Sequence, residues 1–259
     1  EEIKPLYEEQ TGNTLEVVGN WNNILSQIRS APAGDPPFDV TLVGDKDHYF
    51  GVQEDLWAPF DINTLDNSDV IKPNLLREDP VSVPLCYGVM GAVYDQQRFD
   101  GELGSWGEIM STASDVSLPG GFFTNALQMG ALAADEMPSD DELYAEDGHD
   151  VIFETLREVD TAEYYSSPSE MWTSLNEGVA TLGQYFFAYS KQKQETTETM
   201  DVGFHVPTET VGYIDDYHAV RGTDRLEMAT DFMDFLLSPE IQSTYASAFN
   251  MGMATEGVE

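Results

Sequence analysis

The chain is poor in cysteine and in positive charge: of its 259 residues one is Cys and 11 are Lys or Arg. A lone Cys86 excludes an intramolecular disulfide. At this length a domain buries roughly 70–75% of its unfolded surface, so no covalent staple is needed and no redox compartment is implied. Five Lys and six Arg spread along the sequence cannot assemble the basic face that binds a phosphate backbone, which excludes a simple nucleic-acid role. Polybasic attachment to anionic lipid fails for the same reason. No run of 18 apolar residues is present, so no membrane-spanning helix is expected. The amino end has no signal-peptide pattern, which suits a processed or trimmed chain beginning at Glu1.

The catalytic signatures are missing too. There is no Gly-Lys-Ser/Thr phosphate loop, no Gly-x-Ser-x-Gly elbow, no His-Glu-x-x-His and no Cys-x-x-Cys. The sequence therefore predicts no catalytic residue, no cofactor and no metal centre. The Asp45-Lys46-Asp47-His48 stretch has metal-ligand chemistry but not the spacing of a calcium loop, and it reads as a solvated turn.

What the chain has in excess is acid: 48 Asp and Glu give a net charge of −37. With 41% hydrophobic and 11% aromatic residues it is nevertheless a folding sequence, not a disordered acidic tail. Self-repulsion on this scale is tolerable where salt is near molar and the Debye length is roughly 3 Å. The acids are distributed, not clustered, so the charge reads as adaptation to a high-salt exterior.

Helical and strand-like segments alternate, which predicts an α/β fold. Helical spacing runs over 1–10, 20–30 (through Trp21), 106–113, 125–134, 151–159, 169–177 and 226–237, with a further helix after Ser238-Pro239. Strands are predicted at Leu15–Val18, at Phe38–Val43 as a buried parallel strand, over Val81–Tyr94, at Thr181–Tyr189, at Val202–Val206 and over Gly212–Val220. Residues 135–150 read as an acidic surface excursion. Val81–Tyr94 is long enough to cross between two lobes, and Gly212–Val220 to carry the chain back.

Two aromatic clusters stand out. Tyr185, Phe186, Phe187 and Tyr189 crowd five residues, and Tyr213-Ile214-Asp215-Asp216-Tyr217-His218 sets two tyrosines beside two carboxylates. A carboxylate among aromatic rings suits capture of an organic cation through charge and cation–π attraction. Adjacent strand residues face opposite sides, so one of Asp215 and Asp216 is expected to point at a ligand.

The succession of Phe38-Asp39-Val40, Val83-Pro84-Leu85-Cys86-Tyr87-Gly88, Trp172-Thr173-Ser174-Leu175-Asn176-Glu177-Gly178, Gly212–Val220 and the helix ending Phe235-Leu236-Leu237-Ser238-Pro239-Glu240 resembles the substrate-binding proteins of ABC importers. Within that superfamily the sequence is most similar to the spermidine/putrescine-binding group, and more distantly to ferric-iron and thiamine binders. The resemblance implies a two-lobed type II periplasmic-binding-protein fold with crossing strands as hinge. It implies a first lobe of 1–88 plus 217–259, without the family's leading strand, and a second lobe of 89–216. It further implies a monomer, lipid-anchored in its precursor, that captures a small cationic solute outside the cell for a membrane ABC permease. By match to the family's motifs, the ligand residues are Tyr49, Tyr87, Glu177, Phe186 and Asp216, with Tyr213 beside them; where polyamine binders carry Trp, this chain has Ile214. Ferric iron held by tyrosinates from Tyr164 and Tyr165, or Tyr213 and Tyr217, is the alternative ligand. A hydrolase or a surface interaction module on an α/β scaffold are the alternatives from other classes.

Overall fold

A computed structural model describes residues 3–19, 23–78, 81–134 and 146–258. Trp21 and most of the predicted acidic excursion, 135–145, lie outside these. The fold is mixed α/β, with eight strands and ten α-helices among the described residues. The chain divides into two compact units, 1–87 with 213–259, and 88–212.

The first unit contains α1 (Ile3–Thr11), α2 (Ile24–Ser30), β1 (Val40–Gly44) and α3 (Asp45–Gln53). The thirteen-residue β2 (Val83–Asp95) begins in this unit and continues into the second. A near-continuous run of apolar, mostly buried residues carries β2 straight through Pro84 and Gly88, which interrupt its sequence pattern but not the strand. Of the elements after the second unit, β7 (Gly212–Ala219) pairs antiparallel with β1, Val40 opposite Ala219 and Gly44 opposite Asp215. The short β8 (Gly252–Met253) pairs with Cys86 and Tyr87 of β2. Both α9 (Leu226–Leu237) and α10 (Pro239–Phe249) match their sequence patterns, because an amphipathic stripe and a proline at the first helical position leave little else to form. Ala229, Met233 and Leu237 of α9 pack with Val83 and Ala219 in one core cluster.

The second unit holds α4 (Trp106–Thr112), β3 (Val116–Pro119), α5 (Phe123–Ala133), α6 (Glu146–Glu158), β4 (Thr161–Tyr165), α7 (Pro168–Glu177), β5 (Leu182–Phe186), α8 (Phe187–Thr196) and β6 (Val202–His205). Its sheet is mixed: β3 runs parallel to β4 and β5, while β5 and β6 pair antiparallel with Met90–Asp95 of β2. Ser105 caps α4 with a capping box to Glu108, and Gly178 ends α7 in the left-handed conformation. The core clusters around Trp106, Ile109, Leu118 and Met129 on one side and Tyr165, Met171 and Leu175 on the other.

Four local expectations are corrected. Leu15–Val18 forms no strand, since no described residue pairs with it. The pairing of β1 is antiparallel, because its neighbour is the returning strand β7 and not a βαβ partner. Asp45–His48 is not a solvated turn but the first turn of α3, where Asp45 and Asp47 favourably face the positive end of the helix dipole and His48 is buried. The Thr181–Tyr189 strand stops at Phe186, and Phe187 and Tyr189 belong to α8.

Candidate functional site

Several of the polar side chains that the first unit buries lie on or against β7. Asp216 and His218 are both 0% exposed, as strand alternation requires of residues two apart on the inward face. A buried carboxylate needs a partner, and the partner is Arg77, delivered by the loop after a short 3₁₀ turn at Pro73–Leu75. Arg77 Nη2 lies 2.7 Å and Nε 3.1 Å from Asp216 Oδ2, and Nη2 also reaches Asp45 Oδ1 at 2.6 Å. Asp45 in turn accepts from the Ile214 amide at 3.3 Å through its other oxygen. One guanidinium thus joins the start of α3 to β7.

Asp215 sits at the edge of this pair. Its Oδ2 accepts from the Cys86 thiol at 3.8 Å. A Cβ on Gly44, opposite Asp215 in the sheet, would lie 3.3 Å from Asp215 Oδ1, so glycine leaves this carboxylate room. Burial, then the charges of Asp45 and Asp216, push the Asp215 carboxyl up from its ordinary value to about 7, against smaller lowering effects of Cys86 and Arg77. Burial raises Asp216 as well, while Arg77 pulls it back down. The Cys86 thiol is pushed up by burial and by Asp215 and stays protonated.

Beneath the carboxylates lies a histidine pair. His218 Nδ1 is 3.2 Å from the Asp216 carbonyl, which can only accept, so Nδ1 carries the proton and Nε2 accepts from His48 Nδ1 at 2.9 Å. Burial, then His48, lower the His218 pKa to about 3, which keeps the ring neutral. Trp57 packs on His218 with centroids 4.4 Å apart and donates its indole N–H to the His48 carbonyl at 3.2 Å.

The sequence-predicted site residues fall into two sets. Tyr49, Tyr87, Tyr213 and Asp216 belong to the first unit, Glu177 and Phe186 to the second. Tyr49 is 57% exposed on α3, one turn from Asp45 and therefore on the same face. Tyr213 is half-buried on β7. Tyr87 already carries a cation, since Lys72 Nζ stands 5.1 Å from its ring centroid. Glu177 is exposed at the end of α7, and Phe186 packs edge-on against Phe122 and Tyr185. Of the iron alternative's tyrosines, Tyr165 is sealed in the core and donates to the Gln184 carbonyl at 2.8 Å, while Tyr164 is exposed. Among the described residues no group of three or more His, Cys, Asp or Glu is arranged to hold a metal ion.

Sequence reasoning missed Arg77, left Asp45 in a solvated turn, and missed that His48 and His218 meet. The period of two along β7 was a usable signal that Asp216 and His218 share a buried face. Nothing local could indicate an arginine 139 residues away.

The model of the bacterial extracellular solute-binding proteins matches residues 4–259. The chain belongs to that family. As a solute-binding protein of this family it has the extracellular setting its family name states, and among the described residues no helix is long and apolar enough to cross a membrane. The fold recurs in solved structures: an ABC transporter from Clostridium perfringens ATCC 13124 superposes with a TM-score of 0.80 at 16% identity, covering 99% of this chain and 81% of that one. The spermidine/putrescine ABC transporter substrate-binding protein PotD from Streptococcus pneumoniae strain Canada MDR_19A, solved with calcium and HEPES, gives 0.74 at 19% identity over 95% and 76%. Iron-bound HitA from Pseudomonas aeruginosa gives 0.78 at 13% over 99% and 83%. Identities this low establish the shared fold and leave the solute open. No curated protein sequence is significantly similar to this solute-binding protein.

Proposed function

We propose that this solute-binding protein captures a small organic dication of the polyamine class, without catalysing its conversion, and hands it to a membrane ABC permease. The observation that carries the reading is the charge count around β7: the carboxylates of Asp45 and Asp216 share the single guanidinium of Arg77, and the Asp215 carboxyl feels the charges of all three. With Asp216 neutralised by Arg77, Asp45 and Asp215 are left to face a cation, and Tyr49 and Tyr213 offer aromatic surface beside them. Asp216 is then a positioning residue, and the ligand-facing acid on β7 is its neighbour Asp215. Binding a dication favours the ionised form of Asp215, so the proton held near neutrality leaves as solute arrives.

The even spread of acid over the chain supports a high-salt exterior as the working environment. Calorimetric titration in molar salt with putrescine, spermidine, thiamine and ferric citrate tests the ligand. A saturable heat from putrescine or spermidine is expected. Silence from both polyamines, whatever the other two do, would refute the reading.

A further inference from the structure

The chain's one thiol stands beside a thioether. Cys86 is 3% exposed on β2, and its Sγ lies 3.6 Å from Met251 Sδ and 3.8 Å from Asp215 Oδ2. Three separate parts of the first unit bring these atoms together. Cys86 and Met253 are directly paired between β2 and β8, so their side chains leave the sheet on one face, and Met251, two residues earlier, falls on that face too. Asn250 ends α10 in the left-handed conformation, which turns the chain and delivers Met251. Asp215 comes from β7. Both Met251 and Asp215 are half-buried, so the cluster stays reachable from solvent.

Two of the donors, Cys86 and Asp215, are of the His, Cys, Asp and Glu kinds, and the third is a thioether. Thiolate and thioether sulfurs are soft ligands, which favour copper(I) and its analogue silver(I) over sodium or magnesium. The distances suit a single ion. At about 2.3 Å from each sulfur it would see the pair at an angle of about 103°, and with Asp215 Oδ2 about 2.1 Å away the angle between Cys86 Sγ and that oxygen would be about 119°. Both angles suit three- or four-fold coordination. Tyr217 and Tyr245 pack with Cys86 and Met251 in one apolar cluster, so the sulfurs are walled by rings.

We propose that Cys86, Met251 and Asp215 form a binding site for a soft monovalent metal ion of the copper(I) class. On binding, the bond between Cys86 Sγ and its proton breaks, a bond from Sγ to the metal forms, the proton leaves to solvent, and no oxidation state changes. A monovalent ion cancels the one charge that the thiolate brings into a buried place. The proposal does not rest on the polyamine reading, since no dication takes part.

The test titrates the 259-residue chain with silver nitrate in molar sodium nitrate at pH 7, followed by calorimetry and by the ultraviolet absorption of a metal-bound thiolate. One tight equivalent per chain is expected, and the thermal midpoint should rise by about 4 °C or more. Met251→Leu, which conserves volume, should bind at least about tenfold more weakly, and Cys86→Ser should lose the thiolate absorption. Millimolar magnesium should displace nothing. Equal affinity in Met251→Leu and the parent would overturn the proposal, because the thiol alone would then suffice. A thermal midpoint that falls on adding silver would also overturn it, since the ion would be capturing the thiol of the unfolded chain, and so would displacement by magnesium.

Discussion

Replacing Arg77 by Met is expected to destabilise the first unit by about 3 kcal/mol at pH 7, the typical cost of stripping one partner from a buried ion pair. Asp216 is 0% exposed, whereas Arg77 keeps 21% of its side chain in solvent, so the loss falls mainly on the carboxylate. Met conserves most of the apolar stem and separates lost charge from lost packing. The sign of the pH dependence follows from the same geometry. Without the guanidinium, burial and the charge of Asp45 outweigh the small lowering effect of Ser82 and hold the folded pKa of Asp216 further above the unfolded value. The variant's deficit should therefore shrink as pH falls and the carboxyl takes up a proton. Urea midpoints in high salt at pH 5 and pH 8 measure this. The double change Arg77→Met with Asp216→Asn should recover most of the loss, because no uncompensated buried charge remains. A single variant as stable as the parent at pH 8 would show that the pair is not what holds Asp216.

The second large effect has the opposite sign. Asp215→Asn should stabilise the protein above pH 7 by about 2 kcal/mol and weaken dication binding by about tenfold or more. Folded Asp215 holds its proton up to about 7, and its ordinary value is 3.8. Between those values the folded state binds more protons than the unfolded, so this group's contribution to stability falls as pH rises from about 4 to 7. Full ionisation corresponds to about 4 kcal/mol, of which partial solvation leaves roughly half as a measurable gain. His218 acts in the other direction. Its folded pKa of about 3 lies below its ordinary 6.5, so its contribution is intact above about 6.5 and is lost as pH falls toward 3. The two slopes oppose one another between about 4 and 6.5 in the parent protein. With Asp215 gone, stability should rise with pH across that window, and a variant profile parallel to the parent's would contradict the assignment. An acid that costs stability where it stands, yet sits in a connected charged cluster, is what a solute-binding role explains.

Much of this fold could be read along the chain because its elements declare themselves locally. The stripe of α9 and the Ser-Pro start of α10 suffice, and β2 shows its length despite Pro84 and Gly88. Errors arose where pairing decides. Leu15–Val18 has the alternation of a strand, but a strand exists only with a neighbour, and periodicity says nothing of neighbours. Residues 186–189 are aromatic enough for a strand, yet the chain turns into α8 at Phe187, whose ring packs on Phe204, a neighbour that periodicity does not reveal. The candidate site was half legible. Tyrosines beside Asp215 and Asp216 marked β7, but that Asp216 is tied up in an ion pair was decided by Arg77, far off in sequence. The charge of −37 obscured the rest, because in such a chain one carboxylate more carries little information.

The most direct test of the central claim is the pH dependence of spermidine affinity, measured by calorimetry in molar salt in buffers of different ionisation heat. If Asp215 receives the cation, affinity should rise from pH 6 to pH 8 and each binding event near pH 7 should release a fraction of a proton, both effects vanishing in Asp215→Asn. Affinity that is flat across that range, with no proton released, would contradict the account.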